Sequence, residues 1–295
     1  MYKKYKNTDY YIGPYRKAAG EIPAYMNEDH EFKFLLEKIR RNKKIDFSGY
    51  RRENLIRRIV YRMGIAGCST YLEYVLLLNR DPEEYDRLIQ SLTIKVSHFF
   101  RDGDVFRLLH SSVIPGITEQ KTEGGGARIR AWSCGAAFGQ EAYSMAILFC
   151  EALGPRIGEV DIRITATDID RKALEQAQWA SYPRESMMKM EPYLLFKYFS
   201  RLNGGYVVSD RARELVSFIH HDILSDRPLN DMDLIMCRNL LIYFEKGIQE
   251  RVLENLCSSL RRGGFLVLGM TESLGPGVSD RFEAVDRMLR IYRKR

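Results

Sequence analysis

The sequence lacks the features of a secreted or membrane-spanning protein. No uncharged apolar run reaches the roughly 20 residues that a transmembrane helix needs. The first residues, MYKKYKNTDYY, contain lysines with no apolar stretch behind them, so we predict no secretory signal peptide. The five cysteines are scattered and odd in number, which argues against a disulfide framework and against a zinc site. We therefore expect a cytoplasmic protein without a structural metal, whose cysteines are core thiols.

The sequence also lacks internal repeats, low-complexity tracts and the full G-x-G-x-x-G pattern of dinucleotide-binding folds. Its hydrophobic fraction of 45% is ordinary for a globular protein. A chain of 295 residues can form two domains, or one large domain with an appendage. We therefore expect a globular protein with a sizeable hydrophobic core.

The positive charge is concentrated in one segment. The net charge is +7, yet residues 33–62 alone contain 11 Lys or Arg and three acids, so the rest of the chain is nearly neutral. A local field of this kind attracts and positions acidic ligands. Within the segment, Arg57, Arg58 and Arg62 lie within two turns of a predicted helix. We expect these three arginines to contact an acidic helical protein.

Two alternatives stay open for these arginines. Nucleic acid would also be attracted to them, but only Tyr50 and Tyr61 are nearby for base stacking, so we expect no stable nucleic-acid complex. The arginines could instead form a solvated helix face, although such faces usually mix charges of both signs.

Periodicity divides the chain into three parts. Apolar residues recur at helical spacing from His30 to about Phe100, whereas the residues before His30 show no sustained period. We predict a flexible arm over residues 1–29 and a small all-helical domain over residues 30–105. An α/β domain should follow over residues 106–295, with a small β insert at about residues 199–220.

The stretch from Arg128 to Ser144, RIRAWSCGAAFGQEAYS, is the centre of the α/β domain. It predicts a short strand, a turn of small residues and the start of a helix. Backbone N–H groups in such a turn can face a ligand, and the helix directs its positive end to the same place. Strands and helices continue to alternate after it. We therefore predict a mostly parallel, Rossmann-like sheet with helices on both faces.

Ligands of such sheets bind across the carboxyl ends of the strands. The chain places Glu141, Asp168, Asp222 and Asn239 near those ends. Asp168 follows the second strand, where an acid can accept both hydroxyls of a ribose. An acid there could instead cap the next helix, a role that suits Asp170 better.

Five phrases of the sequence resemble one protein family. In chain order they read SHFFRD, AWSCGAAFGQEAYS, ATDID, DLIMCRNLLIYF and GGFLVLGMTESL. Together they are similar to the chemotaxis-type protein-glutamate O-methyltransferases, the CheR family, which use S-adenosylmethionine. The resemblance covers about Glu31 to the C-terminus, and CRNLLIYF, from Cys237 to Phe244, is its most specific part. It implies a helical N-terminal domain and a methyltransferase sheet carrying a small inserted β subdomain.

The resemblance also implies roles for individual residues. Its cofactor contacts fall on Lys95, Ser97, Arg101, Glu141, Asp168, Asp222, Ile223, Arg238 and Asn239. By the same resemblance, Glu141 takes the amino group of the methionine moiety, Asp168 the ribose, and the turn at Asp222 the adenine. The proposed catalytic pair falls on Arg101 and Tyr243.

The chemistry that the resemblance implies needs few groups. A glutamate side chain, with a reference pKa of about 4.3, is already ionised at neutral pH, so methyl transfer to it requires no general base. The site must align the reacting atoms and exclude water. Arg101 could orient the carboxylate, and Tyr243 could donate one further hydrogen bond. Alternatively, Arg101 could pair with Asp102 or Asp104, and Tyr243 could be a core aromatic residue.

The chain departs from the family's usual residues near the expected cofactor. Ala137, Phe138 and Gln140 stand where the family usually has Ser, Thr and Glu, and Lys95 stands where it usually has Asn. Phe138 adds bulk at the turn, and Lys95 brings positive charge toward a cationic cofactor. These changes bear on cofactor affinity more than on the fold. Methyl transfer to receptor glutamates is the main hypothesis; a nucleic-acid methyltransferase and a non-catalytic binding module of the same fold are the alternatives.

Overall fold

The computed structural model describes residues 28–93, 95–122, 128–188 and 190–295. The predicted arm, residues 1–29, lies outside the described residues except for its last two, which begin the first helix. The chain forms two compact units. Of the described residues, the first comprises 28–48 and 55–92, and the second comprises 49–54 and those from 93 to the C-terminus.

The first unit is helical. Its helices are α1 (Glu28–Lys43), α2 (Arg52–Ile65, which belongs to this unit from Leu55 onward), α3 (Tyr71–Arg80) and α4 (Pro82–Leu92). A capping box starts α3, because the Thr70 hydroxyl accepts from the Glu73 N–H while the Glu73 carboxylate accepts from the Thr70 N–H. Leu35, Ile59 and Leu88 are fully buried and belong to its core. The prediction of a small all-helical N-terminal domain is confirmed.

The second unit contains a seven-stranded sheet and a separate three-stranded sheet. Its strands are β1 (Arg128–Cys134), β2 (Asp161–Asp168), β3 (Ser181–Pro183), β4 (Phe199–Leu202), β5 (Gly205–Val208), β6 (Val216–His220), β7 (Met232–Cys237), β8 (Leu260–Leu268), β9 (Phe282–Asp286) and β10 (Ile291–Lys294). Its helices are α5 (Gly103–Leu108), α6 (Ile114–Thr122), α7 (Gln140–Leu153), α8 (Arg171–Trp179), α9 (Pro192–Tyr198), α10 (Asp210–Arg213) and α11 (Lys246–Ser259).

The large sheet has the order β6-β2-β1-β7-β8-β10-β9. Its first five strands pair in parallel, and β10 pairs antiparallel with both β8 and β9. The chain winds outward from β1 in one direction and then resumes at β7 on its other side. The switch point of the sheet therefore lies between β1 and β7, where such folds bind ligands. The predicted mostly parallel, Rossmann-like fold is confirmed.

Burial along the central strands explains their pattern in the sequence. Every residue of β7 is buried, and β1 is exposed only at Arg128. Alternate residues of β1 enter different cores: Ile129 and Ala131 pack on one face, and Trp132 and Cys134 pack on the other. Because both faces are covered, these strands read as nearly continuous apolar runs rather than as alternating ones.

The structure places two predicted boundaries differently. The second unit begins at Thr93, not after residue 105, because Phe99, Val105 and Phe106 are buried in the same core as Ile129 of β1. The small sheet has the order β3-β5-β4 and lies within residues 181–208. The predicted insert of about residues 199–220 therefore shifts, since β6 pairs in parallel with β2 and belongs to the large sheet.

Candidate active site

A cavity of about 320 Å³ opens where β1 and β7 end, a volume typical of small-molecule sites. Its wall includes Gly135 after β1 and Asn239 after β7. Six of the predicted site residues line it, namely Ser97, Arg101, Glu141, Arg238, Asn239 and Tyr243. These six residues, which are far apart in the sequence, therefore meet at one cavity of the second unit.

The turn between β1 and α7 has an unusual backbone. Gly135, Ala137 and Gly139 all have positive φ, at 69°, 48° and 86°. A Cβ atom on Gly139 would lie 2.9 Å from the Phe218 ring, so this position needs glycine. The N–H of Ala137 donates to the Asp168 carboxylate over 2.9 Å, which supports the left-handed conformation of Ala137. The small residues of this turn thus shape the cavity wall and connect it to the end of β2.

Glu141 lies in the first turn of α7 and faces the cavity. Its carboxylate accepts from the Ser133 hydroxyl over 2.8 Å and from Arg238 Nη1 over 3.5 Å. Burial raises the pKa of Glu141, while the Arg238 guanidinium and the Ser133 hydroxyl oppose that rise. The result is a buried carboxyl that a further cation in the cavity would help to keep ionised.

Arg238 follows β7, and its side chain is only 2% exposed. Its Nη2 pairs with Asp102 over 2.5 Å, and its guanidinium lies over the Phe106 ring at 5.6 Å. Among the described residues, its buried Nε has no hydrogen-bond partner. A buried donor without a partner is costly, so a ligand that brings an acceptor into this cavity would relieve the cost.

Glu272 organises the loop after β7, a role that the sequence pattern did not predict. This residue is 4% exposed and accepts backbone N–H groups from Gly269 (2.7 Å), Asn239 (2.9 Å) and Ile242 (3.3 Å). Asn239 has a φ of 58°, and the Glu272 contact fixes it in that left-handed conformation. The signal was present in the phrase GMTESL, but its spacing does not reveal which N–H groups the carboxylate meets.

Arg101 does not pair with Asp102 or Asp104, its two alternative partners. Its Nη1 donates to the Val96 carbonyl over 2.6 Å, and its side chain lines the cavity. Asp102 pairs with Arg238, and Asp104 pairs with Arg107. Arg101 is therefore oriented by its own loop.

Tyr243 and its neighbour Phe244 have different surroundings. Phe244 is fully buried and packs edge-to-face on Tyr50, with ring centroids 4.9 Å apart. Tyr243 is partly buried and lines the cavity. Phe244 is thus a core aromatic residue, whereas Tyr243 packs against the same core and also lines the cavity.

Four predicted cofactor residues lie outside the cavity wall, namely Lys95, Asp168, Asp222 and Ile223. Asp168 is next to that wall, since its carboxylate bonds to Ala137. Asp222 accepts from the Leu224 N–H over 2.9 Å and from the Ser225 hydroxyl over 3.0 Å, so it shapes the turn after β6. Burial raises the pKa of Tyr50, and the negative charges of Asp222 and Asp168 raise it further.

The three predicted substrate-binding arginines lie in α2 and differ in their surroundings. Arg57 is exposed. Arg58 is partly buried and donates to the Ser91 carbonyl over 2.9 Å. Arg62, at 16% exposure, pairs with the buried Glu84. The substrate contact predicted for Arg62 is therefore not supported, because its guanidinium is held by Glu84 inside the helical unit.

Among the described residues, no helix is long and apolar enough to cross a membrane. Nor does that part of the chain contain a cluster of three or more His, Cys, Asp or Glu side chains suited to a metal ion.

The sheet order, the turn after β1 and the acid at the end of β2 are those of a Rossmann-like nucleotide-binding fold. The chain belongs to the CheR family. Residues 95–290 match the CheR methyltransferase SAM-binding domain, and residues 30–93 match the CheR methyltransferase all-alpha domain. The family resemblance predicted from the five sequence phrases is confirmed.

Individual relatives agree with this assignment. A putative methyltransferase Cher3 of Pseudomonas putida is 34% identical over 278 residues, covering 91% of this chain and 98% of that protein. A chemotaxis protein methyltransferase of Klebsiella aerogenes is 31% identical over 260 residues, with 83% of each chain covered. An uncharacterized 104.1 kDa protein of Rhodobacter capsulatus is 34% identical over 248 residues, covering 84% of this chain. The present chain spans only 26% of that longer protein.

Proposed function

We propose that this protein transfers a methyl group from S-adenosylmethionine to glutamate side chains of a protein, namely a chemotaxis receptor or a similar signalling protein. The main support is the composition of the cavity wall. The cavity at the switch point brings Arg101, Glu141 and Tyr243 together, and these are the positions at which the family resemblance implies cofactor binding and catalysis.

The cavity suits the amino-acid moiety of the cofactor. That moiety carries an ammonium and a carboxylate. The buried Glu141 carboxylate offers a partner for the first, and the unpartnered Nε of Arg238 offers a donor for the second. Ser97 and Asn239 would add polar contacts from the same wall. We assign Asp168 to the ribose and the turn at Asp222 and Ile223 to the adenine.

Bound S-adenosylmethionine would supply an electrophilic methyl carbon on its sulfonium. The protein then has to bring in a glutamate carboxylate, which is already ionised at neutral pH and needs no base. Arg101 can hold that carboxylate through its guanidinium, which its bond to Val96 keeps oriented at the cavity. Tyr243 can donate a hydrogen bond from the same wall. Their proposed contribution is orientation and exclusion of water.

We propose an acidic helical segment as the partner and the cytoplasm as the location. The basic segment of residues 33–62 and the exposed Arg57 support an acidic partner, since charge complementarity steers association. The Klebsiella aerogenes relative is named as a chemotaxis protein methyltransferase, which supports a receptor as the substrate class.

The test combines binding with product chemistry. Calorimetry should show binding of both S-adenosylmethionine and S-adenosylhomocysteine. Incubation with methyl-labelled cofactor and a receptor cytoplasmic fragment should then give label that alkali releases as methanol, because a glutamyl methyl ester hydrolyses. A fragment with its target glutamates replaced by alanine is the matched control. Label on RNA or DNA instead would favour a nucleic-acid methyltransferase, and cofactor binding without any transfer would favour a binding module.

A further inference from the structure

Lys95 forms a buried ion pair with Asp170. The two side chains are 11% and 4% exposed. The same carboxylate oxygen, Oδ2, faces the Thr93 hydroxyl at 3.4 Å, and the Lys95 ammonium lies 5.8 Å from the centre of the Phe138 ring. Two of the residues that depart from the family's usual pattern, Lys95 and Phe138, are thus neighbours. The Lys95 charge is directed to an acid of the protein itself.

Besides its ion pair with Lys95, Asp170 forms three hydrogen bonds with backbone and side-chain groups. Its Oδ1 accepts from the N–H groups of Lys172 (2.9 Å) and Ala173 (3.1 Å), so it caps α8 as the sequence predicted. Its own N–H donates to Asp168 Oδ1 over 2.9 Å. One short turn therefore holds two acids, Asp168 and Asp170, whose negative charges repel each other.

The pKa of the Asp168 carboxyl depends on burial and on these neighbouring groups. Burial raises its pKa, the backbone N–H groups of Asp170 and Ala137 lower it, the Asp170 charge raises it, and the Lys95 charge lowers it. The charged and titratable groups around Asp168 are Asp170 from the same turn, Lys95 from the segment before α5, the Tyr50 phenol, and His220 and His221 at the end of β6, where His220 is the register partner of Asp168. Of these groups, Lys95 is the cation that pairs with Asp170.

We propose that Lys95 is a positioning residue: its ammonium offsets the charge of Asp170 and so supports the neighbouring Asp168 carboxylate in accepting the ribose hydroxyls, without contacting the cofactor itself. This inference rests on the proposed cofactor site. It replaces both the direct cofactor contact predicted for Lys95 and the expected repulsion between Lys95 and the sulfonium. A lysine is tolerated beside a cationic cofactor because Asp170 already neutralises it.

The experiment compares two ligands that differ in charge at sulfur. Calorimetry at pH 7 measures the dissociation constants of S-adenosylmethionine and S-adenosylhomocysteine. The proteins compared are wild type, Lys95→Met, Asp170→Asn and the double variant. Lys172→Met removes a neighbouring exposed lysine and is the matched control. Asparagine caps helices about as well as aspartate, so Asp170→Asn should keep α8 intact.

We expect Lys95→Met to weaken the binding of both ligands by about tenfold, equivalent to about 1.4 kcal/mol. The ratio of the two dissociation constants should stay unchanged. The double variant should bind more tightly than Lys95→Met, because the acid that repels Asp168 has gone. The affinity of Lys95→Met should also fall more steeply than that of wild type as the pH is lowered from 7 to 5. Lys172→Met should bind like wild type.

Three results would overturn the inference. A ratio that shifts severalfold in favour of S-adenosylmethionine would show that the Lys95 charge reaches the sulfonium directly. A double variant no better than Lys95→Met would show that charge offset is not the reason for the loss. Unchanged affinity of Lys95→Met for both ligands would exclude a role of Lys95 in cofactor binding. If Lys95→Met fails to fold, Lys95→Gln takes its place under the same criteria. Wild type that binds neither ligand would contradict the cofactor site itself, and the inference would fall with it.

Discussion

Arg62 and Glu84 form a two-point ion pair within the helical unit, with Nε–Oε1 and Nη2–Oε2 distances of 2.6 Å each. Glu84 is 2% exposed and also accepts from the Tyr74 hydroxyl over 2.7 Å and from Arg87 over 3.3 Å. The pair explains why Arg62 does not face solvent with Arg57. A basic residue that looks available in the sequence is here a component of the fold.

Removing one partner of this pair should destabilise the protein. Arg62→Met would leave the Glu84 carboxylate buried with one strong partner fewer, which typically costs about 3–5 kcal/mol. Urea unfolding followed by circular dichroism measures the loss. Arg80→Met, at an exposed position of α3, is the control and should change stability little. Equal stability of the two variants would contradict the structural role of Arg62.

The same pair predicts a pH dependence. Burial alone would raise the pKa of Glu84, but the hydrogen bonds from Arg62 and Tyr74 hold it below its ordinary value of 4.5. A carboxyl with a depressed folded-state pKa stabilises the protein above its unfolded pKa, and this contribution is lost as the pH falls through the folded pKa. Between pH 6 and pH 3, wild type should therefore lose more stability than Glu84→Gln. Parallel stability curves for the two proteins would argue against an ionised Glu84.

Arg57 should carry more of the substrate interaction than Arg62. Arg57→Ala should raise the Michaelis constant for a receptor fragment by up to about fivefold, because an exposed ion pair contributes at most about 1 kcal/mol. Added salt should reduce the difference from wild type, since exposed charges are screened. Arg80→Ala is the matched control. An unchanged Michaelis constant for Arg57→Ala would remove this residue from the substrate surface.

Tyr243 should act on the transfer step rather than on cofactor binding. Tyr243→Phe removes one hydroxyl at the cavity, and we expect kcat to fall by about tenfold, as for the loss of one hydrogen bond made in the transition state. S-adenosylhomocysteine affinity, measured by calorimetry, should stay within twofold of wild type. Tyr61→Phe, at an exposed tyrosine of α2, is the control. Parallel loss of rate and cofactor affinity would indicate a structural role for Tyr243.

Asp168 should govern cofactor affinity. Asp168→Ala removes the proposed ribose acceptor and should weaken binding by about 1–3 kcal/mol, the range for a buried group left without its partner. Because burial raises the pKa of Asp168, wild-type affinity should decline as the pH is lowered, whereas the variant should not follow that decline. Glu175→Ala, an exposed acid of α8, is the control. Full affinity in a folded Asp168→Ala would exclude the ribose assignment.

The sequence by itself determined the local architecture of the site. The strand, the small-residue turn and the helix start of residues 128–144, the acid that ends β2, and Asp170 as the cap of α8 were all predicted correctly. These features depend on neighbours within a few residues, because backbone conformation, capping and periodicity are short-range properties. The alternation of strands and helices predicted the overall fold, and the family phrases agreed with it.

Only the tertiary structure decided which charged groups meet. Arg62 meets Glu84, Arg238 meets Asp102, and Lys95 meets Asp170, with separations of 22, 136 and 75 residues along the chain. The sequence shows that each of these groups is charged, but it does not show their partners. Folding buries such groups, and a buried charge requires an opposite charge at contact distance, wherever in the chain that charge originates. Pairing across such separations is set by how the elements pack, and that is why these roles emerged only from the structure.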